Sequence, residues 1–83
     1  MTLPKNLYYC SDQKPGFFRQ KIAKQFIYYD LEGKKITDKK VLARIASLTI
    51  PPAWKKVWVC PINTGHLQAT GVDEKNRKQY IYH

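Results

Sequence analysis

Lys78, Tyr80 and Tyr82 occupy alternate positions at the end of this 83-residue chain. On a β-strand that spacing puts one cation and two amphipathic aromatics on one face, with Gln79, Ile81 and His83 on the other. A lysine ammonium meets a phosphate or a guanine edge; tyrosine rings press on thymine methyls or sugars, and their hydroxyls donate to phosphate. Lys75 and Arg77, just upstream, stand where they would flank a groove and hold backbone phosphates. The same pattern also describes an edge strand whose lysine and tyrosines merely discourage edge-to-edge pairing. Pattern alone leaves both readings open. A second basic run extends from Lys14 to Lys24, with no acid between Asp12 and Asp30. It reads either as an arm along phosphates, through Arg19, Lys21 and Lys24, or as a solvated loop.

Other chemistry finds less support. Trp54 and Trp58 have the shape to stack on bases, but prolines and valines flank them, so they are expected in the core. His66 follows Gly65 in a turn and reads as polar surface. Asp30, Asp38 and Asp73 fall at strand ends or a helix cap, which does not suit a pair of catalytic carboxylates. No phosphate-binding Gly-rich loop and no nucleophile–base spacing is present. Cys10 and Cys60 stand fifty residues apart without a CxxC pair, so reduced thiols are expected. With His66 and His83 they lack the paired spacing of a zinc site. The expectation is no catalytic residue, no metal and no cofactor.

Fifteen Lys and Arg against six Asp and Glu give a formal charge of +9. Self-repulsion at that density calls for a partner of opposite sign. No run approaches the roughly 18 consecutive apolar residues of a spanning helix, and the first residues lack a secretory pattern. A membrane is therefore not expected, and an intracellular setting is. The length allows one domain.

The elements that must position these residues follow from periodicity and turn chemistry. Residues 1–15 read as an irregular segment, discouraged from regular structure by Pro4 and Pro15. Gln25–Asp30 is rich in Phe, Ile and Tyr and predicts a strand; Glu32-Gly33 turns it, and Lys34–Ile36 returns. Thr37 or Asp38 caps a helix whose Val41, Leu42, Ile45 and Leu48 form one apolar stripe, ended by Pro51 and Pro52. Strands follow at Val57–Cys60, Leu67–Val72 and Lys78–Tyr82, separated by Asn63-Thr64-Gly65 and Glu74-Lys75-Asn76. The expected fold is α+β: a small, mostly antiparallel sheet of about five strands with one or two short helices packed on it.

The stretch Leu42–His83, LARIASLTIPPAWKKVWVCPINTGHLQATGVDEKNRKQYIYH, resembles the N-terminal domain of bacterial and poxvirus-like type IB DNA topoisomerases. IPPAW, VWVCP, GHLQATG and RKQYIYH stand in the order and spacing of the bacterial members. GFFR at Gly16–Arg19 and FIYYDLEGKKITD at Phe26–Asp38 match more loosely. The resemblance covers residues 15–83 and implies a domain over 16–83 that grips one side of a duplex. The larger C-terminal catalytic domain of the same polypeptide would hold the tyrosine that forms a 3′-phosphotyrosyl link, relaxing supercoils without ATP or metal. None of the family's catalytic positions lies in this stretch. In the poxvirus relatives the last strand contacts bases in the major groove, and the matching positions are Lys78, Gln79, Tyr80 and Tyr82. The resemblance implies double-stranded DNA as partner, a monomer, and a cytoplasmic or nucleoid setting if the source is bacterial. Two positions depart from the bacterial pattern: Gln25 and Asn76 stand where glycines are usual. Asn tolerates left-handed geometry, so the turn at Asn76 is expected to persist.

Two further readings remain. A free-standing single-stranded DNA or RNA module would use Tyr28, Tyr29, Tyr80 and Tyr82 as stacking platforms. A protein-interaction domain would carry its charge for solubility alone.

Overall fold

Phe17 and Phe18 are adjacent and Arg19, Gln20 and Lys21 follow, so no apolar–polar alternation marks a strand here. The computed structural model describes residues 11–83, and in it this stretch forms β1, Phe17–Ile22, paired antiparallel with β2, Gln25–Tyr29. The basic run is thus half of a hairpin, a correction to the irregular arm its charge suggests. Its tight turn carries no glycine: Ala23 takes φ +56° instead. Pro4 and Cys10 lie outside the described residues, so the irregular segment is seen only from Ser11 on.

The expected return strand Lys34–Ile36 shrinks to a single bridge between Tyr29 and Lys35. Ile36 instead turns into the core, 8% exposed, and the helix cap follows two residues later. Helix α1, Lys39–Ser47, is capped by Asp38, whose carboxylate accepts from the backbone N–H of Lys40 at 2.8 Å and of Val41 at 3.4 Å. That cap is worth about 1 kcal/mol. The helix ends at Leu48, and Thr49 leaves it in left-handed geometry, φ +50°.

The remaining strands are β3, Lys55–Val59, β4, Leu67–Val72, and β5, Lys78–Tyr82. All neighbours are antiparallel, in the order β2-β1-β3-β4-β5, so β2 and β5 are the edges. The fold is α+β, with one five-stranded sheet and, among the described residues, one α-helix.

One face of the sheet holds the core. Val57, Val59 and Ala69 pack with Ile36 and Ile45, and Phe17, Tyr28, Val41, Leu42, Leu48, Trp54 and Ile81 close around them. Trp54 lies on Gly71, where a Cβ would come within 2.5 Å of the indole. Two arginines tie this layer together. Arg19 donates to the carbonyls of Pro51 and Trp54, at 3.1 and 2.8 Å. Arg44 donates to Gln68 Oε1 at 2.6 Å and to the Cys60 carbonyl at 2.5 Å. Burial pulls the Arg44 guanidinium below its ordinary pKa, because no carboxylate shares these contacts.

Candidate nucleic-acid interface

Among the described residues, the other face of the sheet carries no helix. Directly paired residues of neighbouring strands share a face, so the register defines a row across it. The row runs Tyr29, Phe18, Trp58, Thr70, Tyr80, one residue from each strand. Phe18 and Tyr29 stack with ring centroids 5.0 Å apart. Trp58 belongs to this face, half-buried, with Cys60 and Leu67 as its apolar neighbours. Trp54 packs against the main core and Trp58 against the Cys60–Leu67 cluster, so both tryptophans sit on apolar clusters as their flanks suggest, but on opposite faces of the sheet.

On β5 the pleat separates the side chains as the spacing predicts. Lys78, Tyr80 and Tyr82 are exposed, while Gln79 and Ile81 are half-buried. Tyr80 is 48% exposed and Tyr82 62%, large values for aromatic rings. The two rings stack at 6.2 Å, Lys78 Nζ sits 5.7 Å from the Tyr80 centroid, and His66 tilts against Tyr82 at 6.1 Å. The edge strand therefore presents cation, ring and ring in series, and His66, just before β4, lies beside the last ring.

The turn before β5 is built by Asp73. Its carboxylate accepts from the backbone N–H of Lys75 and of Arg77, both at 2.9 Å, from Arg77 Nε at 3.0 Å and from Gln79 Nε2 at 2.9 Å. These bonds, the Arg77 backbone N–H first among them, hold the Asp73 carboxyl below the usual carboxylate range. Asn76 takes φ +60°, the left-handed geometry expected of it in place of glycine. Lys75 is exposed, and Arg77 is exposed but tethered to Asp73. Gln79 is likewise turned to Asp73, away from the tyrosine face.

The upstream cations lie elsewhere. Arg19 is half-buried on the core side, bound to two carbonyls and 4.2 Å from the Phe26 ring centroid. Lys21 shares that side, paired with Phe26, and Lys24 is exposed in the β1–β2 turn. Arg19, Lys21 and Lys24 therefore do not join Lys78, Tyr80 and Tyr82 in one cluster.

Ser11–Gly16 crosses the helix-free face, a feature that no periodicity announces. Trp58 Nε1 donates to the Lys14 carbonyl at 3.0 Å, and a Cβ on Gly16 would collide with the same indole. Asp12 accepts from Thr70 Oγ1 at 3.4 Å and forms an ion pair with Lys78. The hydrogen bond to Lys78 lowers the Asp12 carboxyl pKa, and the same bond raises that of the Lys78 ammonium. Contacts separated by 58 residues in sequence leave no local signal to find.

Among the described residues no group of three or more His, Cys, Asp or Glu side chains gathers in one place, and no helix is long and apolar enough to cross a membrane. The geometry defines a small α+β domain with a helical side over the core and an aromatic side, crossed by Ser11–Gly16, that ends in a basic edge ribbon. Residues 25–73 match the bacterial DNA topoisomerase IB N-terminal domain family, a span from β2 through β4. The DNA topoisomerase 1B of Acanthamoeba polyphaga mimivirus is 43% identical over 67 residues, which are 81% of this chain and 20% of that protein. This chain thus spans about a fifth of the length of that curated relative. No solved structure gives a significant match. The chain belongs to the DNA topoisomerase IB N-terminal domain family.

Proposed function

We propose that the helix-free face is a duplex-DNA grip, and that residues 16–83 are the N-terminal clamp domain of a type IB DNA topoisomerase. The observation that carries this is the outward alignment of Lys78, Tyr80 and Tyr82 on an edge strand. Strands lie about 4.8 Å apart, so five span roughly 19 Å, wider than a major groove of about 12 Å. A whole sheet face does not enter that groove, but a two-stranded edge ribbon does. β4 and β5 form such a ribbon, and its outer strand carries the rings. Tyr80 and Tyr82 then press on base edges and sugars, Lys78 meets phosphate or guanine, and Lys75 and Arg77 in the turn hold the flanking backbone. Gln79 reaches a base only by leaving Asp73. Lys21 and Lys24 add phosphate contacts at the far hairpin; Arg19 does so only by giving up its carbonyls.

In this reading the domain has no catalytic role of its own. The parent enzyme attacks a phosphodiester with a tyrosine from the catalytic domain of the same polypeptide, relaxes supercoils through a 3′-phosphotyrosyl link, and needs neither ATP nor metal. The domain works as a monomer on intracellular DNA. The single-stranded alternative loses one of its four platforms, because Tyr28 packs against the core.

The test is an NMR titration of this chain with a short duplex, followed by competition with a single strand of the same sequence at matched salt. Shifts centred on β5 and the Asp73–Arg77 turn are expected, as is duplex preference and no plasmid relaxation. Binding that engages about four to six phosphates gives a slope of log affinity against log salt of about −4 to −5. Shifts confined to α1, or single-strand preference, contradict the proposal.

A further inference from the structure

Among the described residues, Ser11–Gly16 is anchored to the sheet by three side-chain contacts rather than by strand pairing: Trp58 to the Lys14 carbonyl, Asp12 to Thr70, and Asp12 to Lys78. Its own backbone closes a local turn, with Lys14 N–H donating to the Ser11 carbonyl and Gln13 N–H to Ser11 Oγ. A segment held this way belongs to the part of a fold that opens first. It also lies in a particular place. Thr70 and Tyr80 are cross-strand partners, and Lys78 neighbours Tyr80 on the same face of β5. Asp12 therefore puts a carboxylate on the one lysine that shares the tyrosine face of that strand.

A carboxylate and a phosphate compete for the same ammonium. With Asp12 seated, Lys78 is neutralised, and an incoming phosphate also meets a negative charge beside it. We propose that Ser11–Gly16 is a displaceable arm that occupies the duplex-binding face, with Asp12 holding Lys78 until a DNA phosphate replaces it. This rests on the duplex-grip reading. The arm makes β5 less attractive to stray anions and couples DNA binding to release of the segment that leads into the domain. Each bond that seats the arm lowers duplex affinity by the free energy of that bond, because binding must break it.

The experiment compares the wild-type chain with Asp12→Asn, Lys78→Ala and the double variant, using fluorescence anisotropy of a labelled short duplex at one fixed salt concentration. Asp12→Asn keeps the shape of the side chain and removes its charge. It is expected to tighten duplex binding about two- to fivefold, the range set by a partly exposed ion pair. In the Lys78→Ala background the same change is expected to have little effect, since the ammonium it frees is gone. The Trp58 Nε1–H resonance supplies a readout independent of affinity: duplex addition to the wild type should move it as the Lys14 carbonyl departs.

If wild type binds duplex and Asp12→Asn binds equally or more weakly, the arm proposal falls while the duplex grip stands. A gain that persists undiminished without Lys78 is a long-range charge effect and equally overturns it. If neither chain binds duplex, the grip itself is wrong and the arm proposal goes with it.

Discussion

Truncating Tyr80 should separate binding from folding more cleanly than any other single change in this chain. Tyr80 is 48% exposed and stands outside the core cluster, so its ring contributes little to burial. A surface change of that kind shifts stability by about 0.5 kcal/mol or less. Its neighbours are a different matter. The ring lies between Lys78 Nζ at 5.7 Å and the Tyr82 ring at 6.2 Å, so it aligns both. Tyr80→Ala removes its own contact with DNA and also releases the two groups beside it. A base contact of this type discriminates by about 1–3 kcal/mol, which corresponds to roughly a 5- to 150-fold drop in duplex affinity. Tyr82 lies between Tyr80 and His66 and aligns no lysine, so Tyr82→Ala should weaken binding less. The assay is duplex anisotropy at fixed salt beside thermal melts of both variants. Duplex affinity within twofold of wild type for a folded Tyr80→Ala refutes the reasoning, and so does a Tyr82 effect that exceeds the Tyr80 effect.

The remaining predictions concern the scaffold. Ile45→Ala empties the centre of a small core where Ile45 is 2% exposed, and should cost about 2–5 kcal/mol in denaturant unfolding; an unchanged midpoint contradicts that core assignment. Ala23→Gly relieves a left-handed turn residue at φ +56° and should raise stability by about 0.5–1 kcal/mol; a lower midpoint means that the turn is not strained. Asp73 is held below the ordinary aspartate value of 3.8, so it contributes stability above that pH, and the contribution disappears as pH falls through the lowered native value. Acid titration followed by NMR should therefore loosen the Asp73–Arg77 turn on the acid side, and Asp73→Asn should flatten that dependence. Trp58→Ala should leave the main core folded, because the ring packs on the smaller Cys60–Leu67 cluster, while freeing Ser11–Gly16; a chain unfolded at room temperature counts against this.

Where local pattern decides an element, the sequence is sufficient. The apolar stripe Val41, Leu42, Ile45 and Leu48 lies on one helix face, and the alternation in β5 separates Lys78, Tyr80 and Tyr82 from Gln79 and Ile81. Asp30, Asp38 and Asp73 stand where expected, each accepting backbone N–H bonds in a turn or cap. The exceptions have a common physical form. β1 is hidden in the sequence because the run Arg19-Gln20-Lys21 breaks any alternation and its turn uses alanine in a conformation usually left to glycine. Trp58 and Trp54 have similar flanks, yet register puts Trp58 opposite Thr70 on one face while Trp54 reaches Gly71 on the other. Asp12 at Lys78 and Arg19 at Pro51 depend on chain reversals that no window of sequence contains.

The division of labour between arginine and lysine sharpens what the face can read. The chain has three arginines, and each has a partner within the fold: Arg19 has two carbonyls, Arg44 has Gln68 and Cys60, and Arg77, still exposed, has Asp73. Arginine is the side chain whose planar fork grips guanine edges and phosphates in two places at once. Here those forks join helix to sheet and close the ribbon turn. The charge left for a polyanion is almost wholly lysine, a compact ammonium that takes phosphate without regard to sequence. Under the duplex-grip proposal, affinity and its salt dependence then come from lysines spread over the domain, while any preference among base sequences comes from Tyr80, Tyr82 and Lys78. Replacing exposed lysines away from β5, such as Lys24, should weaken all duplexes alike and flatten the salt slope by about one unit for each phosphate that is no longer neutralised. Replacing Tyr80 should change the ranking of duplexes. A ranking that survives removal of Tyr80 and shifts with Lys24 would invert this assignment.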